Sequence, residues 1–405
     1  MRLFWTAGIL FFVLGMILQP RLAYEGAVFG LQIWWNIVFP SLLPFFIASE
    51  LLMNFGFVHF LGVLLEPVMR PLFNVPGAGS LVMAIGYTSG YPTGALATAR
   101  LRTLRLCTRV EAERLMAFTS NSSPLFMLVA VAVGMFHNPS LGPIIAGGHY
   151  LASLTLGLAM RFYGRGDREA AASPPDPARE GTFILKRAWQ EMVRRQEQIK
   201  GSAGQIMGEA VKNSLQNLFN IGGFIILFAV LIRLLTRAGF IDLLAALLGK
   251  VLVPAGLNPA VLPALASGIF EMTTGTKLAS EAPAPLAHRL AAAAAILAWS
   301  GLSVQAQAAS VIASTDIRMA PFLLARAAHA VLATLYTLAF LRLAAPVLFQ
   351  AAQAPIPSPA LPAVAWPTCL ASLLALATVL LAMIALGLVR EIICLLTRAI
   401  RLIRI

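Results

Sequence analysis

Residues 86–95 read GYTSGYPTGA, a polar, glycine-punctuated run set between the apolar stretches LVMAI and LATA. The surrounding chain has the composition of an integral membrane protein. Of its 405 residues, 59% are hydrophobic and 12% charged, with a mean hydropathy of +0.81, against about 25% charged in soluble domains. In hydrocarbon every backbone N–H and C=O must be bonded within the protein, so a helix breaks there only where the gap is buried or lines a cavity. The interruption at Ser89, Gly90, Tyr91, Pro92, Thr93 and Gly94 therefore asks for a function.

Long apolar segments near 3–19, 31–53, 115–136, 141–163, 214–236, 291–314, 320–345 and 366–389 approach the roughly 20 residues a spanning helix needs. Shorter or broken runs at 57–72, 78–99, 240–256 and 260–280 either span or dip in and return. The expected fold is all-α and polytopic, with about 10 to 12 segments. The first run is long for a signal peptide and no small-residue cleavage site follows, so 1–29 reads as an uncleaved transmembrane anchor. The net charge of +13 sits in short loops and at the C-terminus, as the positive-inside rule expects, which argues against nucleic acid as a partner. Cys107, Cys369 and Cys394 are scattered without ligand spacing, so neither a disulfide framework nor a metal site is indicated.

A polar, Pro-rich stretch followed by a basic amphipathic helix at 182–213 forms a linker over 164–213. Such a helix either lies on an anionic membrane face or serves as a solvated connector. With the cluster Arg100, Arg102, Arg105, Arg109 and Arg114 and the terminal Arg390, Arg398, Arg401 and Arg404, the linker is assigned to the cytoplasm of a multi-pass inner-membrane protein. The uncharged loop from Ala344 to Trp366 then reads as external, and 346–405 as that loop, a last span and a cytoplasmic tail.

The flanking halves, 30–163 and 214–345, look alike. Ser120 and Ser300 open similar polar runs 180 positions apart, and His149 and His329 keep that offset; Gly56 and Gly239, Pro71 and Pro254, and Pro76 and Pro259 lie 183 apart. GYTSGYPTGA aligns with GIFEMTTGTK from Gly268. The arginine-rich 100–114 loop has a weakly charged counterpart at 281–290, so the expectation is two inverted-topology repeats with interrupted or re-entrant helices. Paired interrupted helices near the midplane are the mark of many secondary transporters, whose sites form at the repeat interface.

Four stretches place polar groups at membrane depth: SGYPTGA (89–95), FTSNSSPLF (118–126), GIFEMTTGTK (268–277) and AWSGLSVQAQAAS (298–310). Asn121, Ser122, Ser123, Ser300, Ser303, Gln305 and Gln307, with residues 89–94, offer donors and acceptors suited to a small neutral ligand or a cation's shell. Ser and Thr also glue transmembrane helices for about 0.6 to 2 kcal/mol. Glu271 is costly at a helix centre; it is either an ion-coupling group, with Thr273 and Thr274, or half of an ion pair with Lys277. Glu50 and Arg233, also 183 apart, read as a scaffold pair, and His59, His149, His288 and His329 as helix-end or packing residues. No hydrolase, P-loop or metal-ligand pattern stands out, so neither an enzyme nor a cofactor is expected.

At SGYPTGA, NSSPLF (121–126), GIFEMTTG (268–275) and SGLSVQAQ (300–307) the chain resembles the sporulation integral membrane protein YlbJ family, built from two nucleoside-recognition, or Gate, domains. The resemblance spans roughly residues 30–345 and implies a Gate-like repeat in each half. It further implies recognition or transport of a nucleoside-like solute across the inner membrane during sporulation; a coupling cation is a separate expectation, read from Glu271, Thr273, Thr274 and the unwound backbone near Gly90 and Gly94. The other reading is a non-transporting scaffold or regulator acting through protein partners; oligomeric state is left open.

Overall fold

The computed structural model describes residues 2–166, 184–198 and 202–353, with two isolated positions, 385 and 389. The Pro-rich part of the linker, the last expected span and the arginine-rich tail otherwise lie outside the described residues. Among the described residues the chain is helical, with no strand. Five helices are long and apolar enough to cross a membrane: Pro20–Asn54, Leu141–Met160, Ala203–Arg237, Leu286–Ile312 and Met319–Ala344. The protein is a multi-pass α-helical membrane protein.

The first half begins with α1 (Arg2–Leu18) and continues through α2 (Pro20–Ile33), α3 (Phe39–Asn54), α4 (Phe57–Val68), α5 (Gly79–Ser89), α6 (Thr93–Thr103), α7 (Arg109–Thr119) and α8 (Leu141–Met160). Helix α9 (Ile184–Glu197) belongs to the linker. The second half is α10 (Ala203–Arg237), α11 (Phe240–Leu252), α12 (Leu262–Phe270), α13 (Met272–Glu281), α14 (Leu286–Trp299), α15 (Gly301–Ile312) and α16 (Met319–Gln353).

The order of elements repeats. Helices α2 and α3 join through a π-helical stretch, Trp34–Val38, into one rod of 35 residues, and α10 is also 35 residues long. The expected boundary at residue 30 therefore falls inside a helix, and 203–213, assigned to the linker, are the first turns of α10. Each rod ends at a glycine with positive φ, Gly56 (78°) and Gly239 (75°), the left-handed stop that glycine adopts without a Cβ clash. A short helix follows, α4 or α11. Then come a pair of helices of 9 to 11 residues, a broken helix and a long return helix.

Each helix of the short pairs is too short to span by itself. An 11-residue helix is about 16 Å long, half the hydrocarbon thickness, and α5 folds back on α6 as α12 does on α13. Close approach makes this possible: Gly275 lies against the backbone of Gly268, and both Gly86 and Gly94 press on the Thr119 carbonyl with no space for a Cβ. The runs at 78–99 and 260–280 fold back as helical hairpins.

Equivalent rods pack antiparallel. Along the α2–α3 rod, Gly26 meets Val230, Gly30 meets Ile226, Trp34 donates to the Leu218 carbonyl (2.9 Å), and Glu50 accepts from Asn213 (2.8 Å). Helices α8 and α16 do the same, through Gly148 on Thr337 and the clusters joining Ala152 to Ala333 and Leu156 to Ala325. At the linker end, charges tie the halves together. Arg102 donates to both oxygens of Asp316 (2.8 and 2.7 Å), and Arg318 to those of the buried Glu113 (2.8 and 3.0 Å) and to the Tyr163 hydroxyl (2.8 Å). At the opposite end Arg289 sits over the Phe136 ring at 5.4 Å.

Asp316 lies in the loop between α15 and α16, and its hydrogen bond to Arg102 holds its carboxyl below the ordinary 3.8. A lowered pKa stabilises the fold above pH 3.8, and that contribution is lost as pH falls through the lowered value. Asp316 is half exposed (49%), so solvent screening keeps the pair's worth to about 1 kcal/mol or less. Asp316→Asn is expected to cost a small drop in Tm at pH 7 that shrinks as pH falls below 3.8, measured by thermal unfolding in detergent; a gap that stays undiminished below pH 3.8 would contradict the assignment.

Candidate functional site

Both hairpin tips and both helix breaks converge near the centre of the molecule. In the first half, Pro124 lacks an N–H and so leaves the Ser120 carbonyl without its helical donor. The structure resolves this break group by group. Asn121 Nδ2 and Ser153 Oγ donate to the Phe118 carbonyl (2.9 and 2.6 Å), Tyr150 Oη to that of Ser122 (2.9 Å), and the Ser122 amide to His149 Nε2 (3.2 Å). Ser123 Oγ accepts from the Phe126 amide (3.2 Å), opening the stretch Phe126–Met135 as an N-cap does. Arg326, from the other half, donates to the Ser120 carbonyl (2.6 Å) and to that of Ala117.

The second half uses different groups. Ser300 and Gly301 turn the chain with φ of 71° and 75°. Gln305 Nε2 donates to the Trp299 carbonyl (2.9 Å), Trp299 Nε1 to that of Ile269 (3.2 Å), and Tyr91 Oη to that of Leu297 (3.3 Å). Glu271 is the N-cap of α13: its two oxygens accept from the Thr273 (2.8 Å) and Thr274 (2.6 Å) amides. A carboxylate there is compensated by the positive end of the helix dipole. The alternative partner, Lys277, instead pairs with Glu281 at 2.8 Å.

A cavity of about 60 Å³ lies between these tips, lined by Ser89, Tyr91, Ser122, Ser123, Glu271, Thr273, Ser303 and Gln307 on its polar side. Leu42, Phe46, Phe126 and Ile225 contribute to its apolar wall. A single water needs about 10 to 15 Å³ by this measure, so a few waters fit. A second cavity of about 210 Å³ shares Phe46, Ser89, Tyr91, Ile221 and Gln307 with the first and adds Pro92, Thr93, Glu50, Ser214, Asn217 and Asn220. Engineered cavities of about 150 Å³ take benzene, so a small ring fits.

Ten of the sixteen residues singled out from the sequence thus line one of two contiguous cavities. The other six sit behind them. Gly90 packs on Ser123, and Gly94 on Thr119. Asn121 and Gln305 brace broken helix ends, while Ser300 forms the second bend and the Thr274 amide binds Glu271. Glu50 and Arg233 do not pair: Glu50 faces Asn213, and Arg233 sits 5.5 Å over the Phe29 ring. His149 and His329 are not separate packing residues, since their rings lie 4.5 Å apart inside the Arg326 network. Arg326 itself was missed by sequence reading; its only signal was an arginine inside the 320–345 apolar run. Asn217 and Asn220 were also missed, having been placed on an ordinary span.

A family model described as nucleoside recognition, named Gate, matches residues 36–146. The chain is 45% identical over 333 residues to the sporulation integral membrane protein YlbJ of Bacillus subtilis (strain 168), an alignment covering 81% of this chain and 80% of that protein. No solved structure matches. The chain belongs to the family of that sporulation integral membrane protein.

Because Glu271 caps α13 with both oxygens, Glu271→Ala should lower stability by about 1 to 2 kcal/mol, and Glu271→Asp should restore part of it. Chemical or thermal unfolding of the purified protein checks this, and a wild-type Glu271→Ala would rule out the cap as a stabilising contact.

Proposed function

We propose that this protein takes part in sporulation by recognising a small, nucleoside-like solute and moving it across the membrane, through two inverted repeats whose re-entrant hairpins close on a shared polar site. The observation that carries this reading is the meeting of both hairpin tips and both helix breaks at one pair of contiguous cavities. Antiparallel packing of equivalent helices supports the inversion, as does the separation of the 100–114 and 281–290 loops to opposite ends. The solute class rests on the nucleoside-recognition description of the family model, and the role in sporulation on the relative's name. Cavity chemistry supports a neutral or weakly charged ligand: hydroxyls and amides from Ser89, Ser122, Ser303, Gln307, Asn217 and Asn220 can match a base or sugar edge while Phe46 and Phe126 face its apolar surface. The lining holds no nucleophile paired with a base, so the reading is binding and passage rather than catalysis. Glu271 and Glu50 are the acidic groups a coupling cation would approach.

A scaffold reading is favoured by one feature, the outward face of α9. The helix is held to α4 by the Arg187–Glu66 pair and by buried Ile184 and Ala188, leaving Trp189, Lys186, Arg194 and Arg195 exposed.

Thermal stability against a panel of nucleosides and alkali cations separates the two readings. A ligand present at a hundredfold excess over Kd stabilises by about 2.7 kcal/mol. That shift is expected in wild type and is expected to shrink in Ser303→Ala and Gln307→Ala. No shift across the panel, with loss of spore formation only on deleting α9, would turn the reading to a scaffold. For the inversion, single cysteines at Leu104 and Ala284, in a background lacking Cys107, Cys369 and Cys394, should label from opposite sides of the membrane; same-side labelling would exclude inverted repeats.

A further inference from the structure

Arg326 lines neither cavity, yet its side chain is fully buried, about 10 Å along α16 from its start. A guanidinium at that depth is retained only where its charge is met by the protein. Its partners are not carboxylates. They are the Ala117 and Ser120 carbonyls at the end of α7, the Tyr91 hydroxyl (3.2 Å) and His329 Nδ1 (3.0 Å). His329 donates its other ring nitrogen to the His149 carbonyl (2.9 Å), which leaves Nδ1 free to accept from Arg326.

The end of α7 is the negative pole of a half-helix, with the Ser120 carbonyl released by Pro124. In transporters built on broken helices, such ends and unwound carbonyls are where a mobile cation binds. We propose that Arg326 is a tethered cation: its guanidinium fills, from the second half, the cation-binding position at the first half's break, and through Tyr91 it positions the first hairpin tip against that break.

The duplication makes the point sharper, because the device is one-sided. The offset of 180 that relates His149 to His329 puts Ala146 at the position of Arg326. At the equivalent carbonyl, Leu297, the donor is the neutral Tyr91 hydroxyl. One tyrosine therefore bridges both breaks, taking a hydrogen bond from Arg326 at the first and giving one to Leu297 at the second. Arg326 is a positioning residue in this scheme, acting on the cavity through Tyr91, which lines it.

The test is chemical rescue. Arg326→Ala should unfold at a lower temperature than wild type, and millimolar guanidinium chloride should raise its Tm by a saturable shift, while wild type shows none and choline chloride does nothing for either. Absence of a guanidinium-specific shift in the variant, or an equal shift in wild type, would overturn the proposal. A second comparison is independent of whether the alanine variant accumulates. Arg326→Lys, which keeps the charge, should reach higher membrane levels and Tm than Arg326→Gln, which keeps hydrogen bonding alone. Glutamine matching or exceeding lysine would reduce Arg326 to a neutral hydrogen-bonding strut and overturn the assignment.

Discussion

A helix that stops inside hydrocarbon leaves carbonyls and amides that no solvent can reach, and the centre of this protein is arranged around the places where that happens. An unsatisfied group there costs several kcal/mol. The break at 120–123 is accordingly surrounded by donors from two other elements: Ser153 and Tyr150 on α8, and Arg326 on α16. The hairpin tips obey the same rule by different means. Glu271 turns its carboxylate onto the amides of its own half-helix, while Thr93 Oγ1 bonds back to the Gly90 carbonyl at 2.5 Å. Polarity at membrane depth is first a consequence of broken helices, and only then available for a ligand.

That requirement explains why the polar residues divide as they do. Asn121 and Gln305 brace the backbone from behind the cavities, Glu271, Ser123 and Tyr91 brace it from the cavity wall, and Ser303 and Gln307 face the cavities with less backbone work. It also explains the glycines at the tips. A hairpin bonded this closely to a broken helix has no space for a side chain where Gly94 meets Thr119, and the second hairpin has none between its own arms where Gly275 meets Gly268. Movement of a hairpin would therefore carry its partner break along, since the two share backbone contact as well as hydrogen bonds.

The halves repeat in element order but not in chemistry. One break is held by a buried guanidinium and the other by a tyrosine hydroxyl. One end of the molecule is tied by the Arg102–Asp316 and Arg318–Glu113 pairs and the other by the Arg289 contact with Phe136. Two copies of one element order therefore meet through unlike contacts at each break and at each end. Membership in a family with a nucleoside-recognition model fits an architecture of this kind.

Membrane residence, the positions of the breaks and the repeated order of elements were legible in the sequence, because each is a local property: apolar length, a Pro or Gly within an apolar run, and the recurrence of Ser120, His149 and Gly56 at near-constant offsets. Most of the cavity lining was legible for the same reason, since a polar residue beside a break has few other places to go. Three things were decided by tertiary structure alone. The short helix pairs fold back on themselves because small faces meet across a turn, which apolar length alone does not reveal. Glu271 caps its own helix and Lys277 turns to Glu281, a choice among near neighbours set by geometry. Above all, the orphaned carbonyls at Ala117 and Ser120 are filled by Arg326, some two hundred positions away; a sequence shows that a backbone group needs a partner, but only the packing of the two halves decides which side chain reaches it.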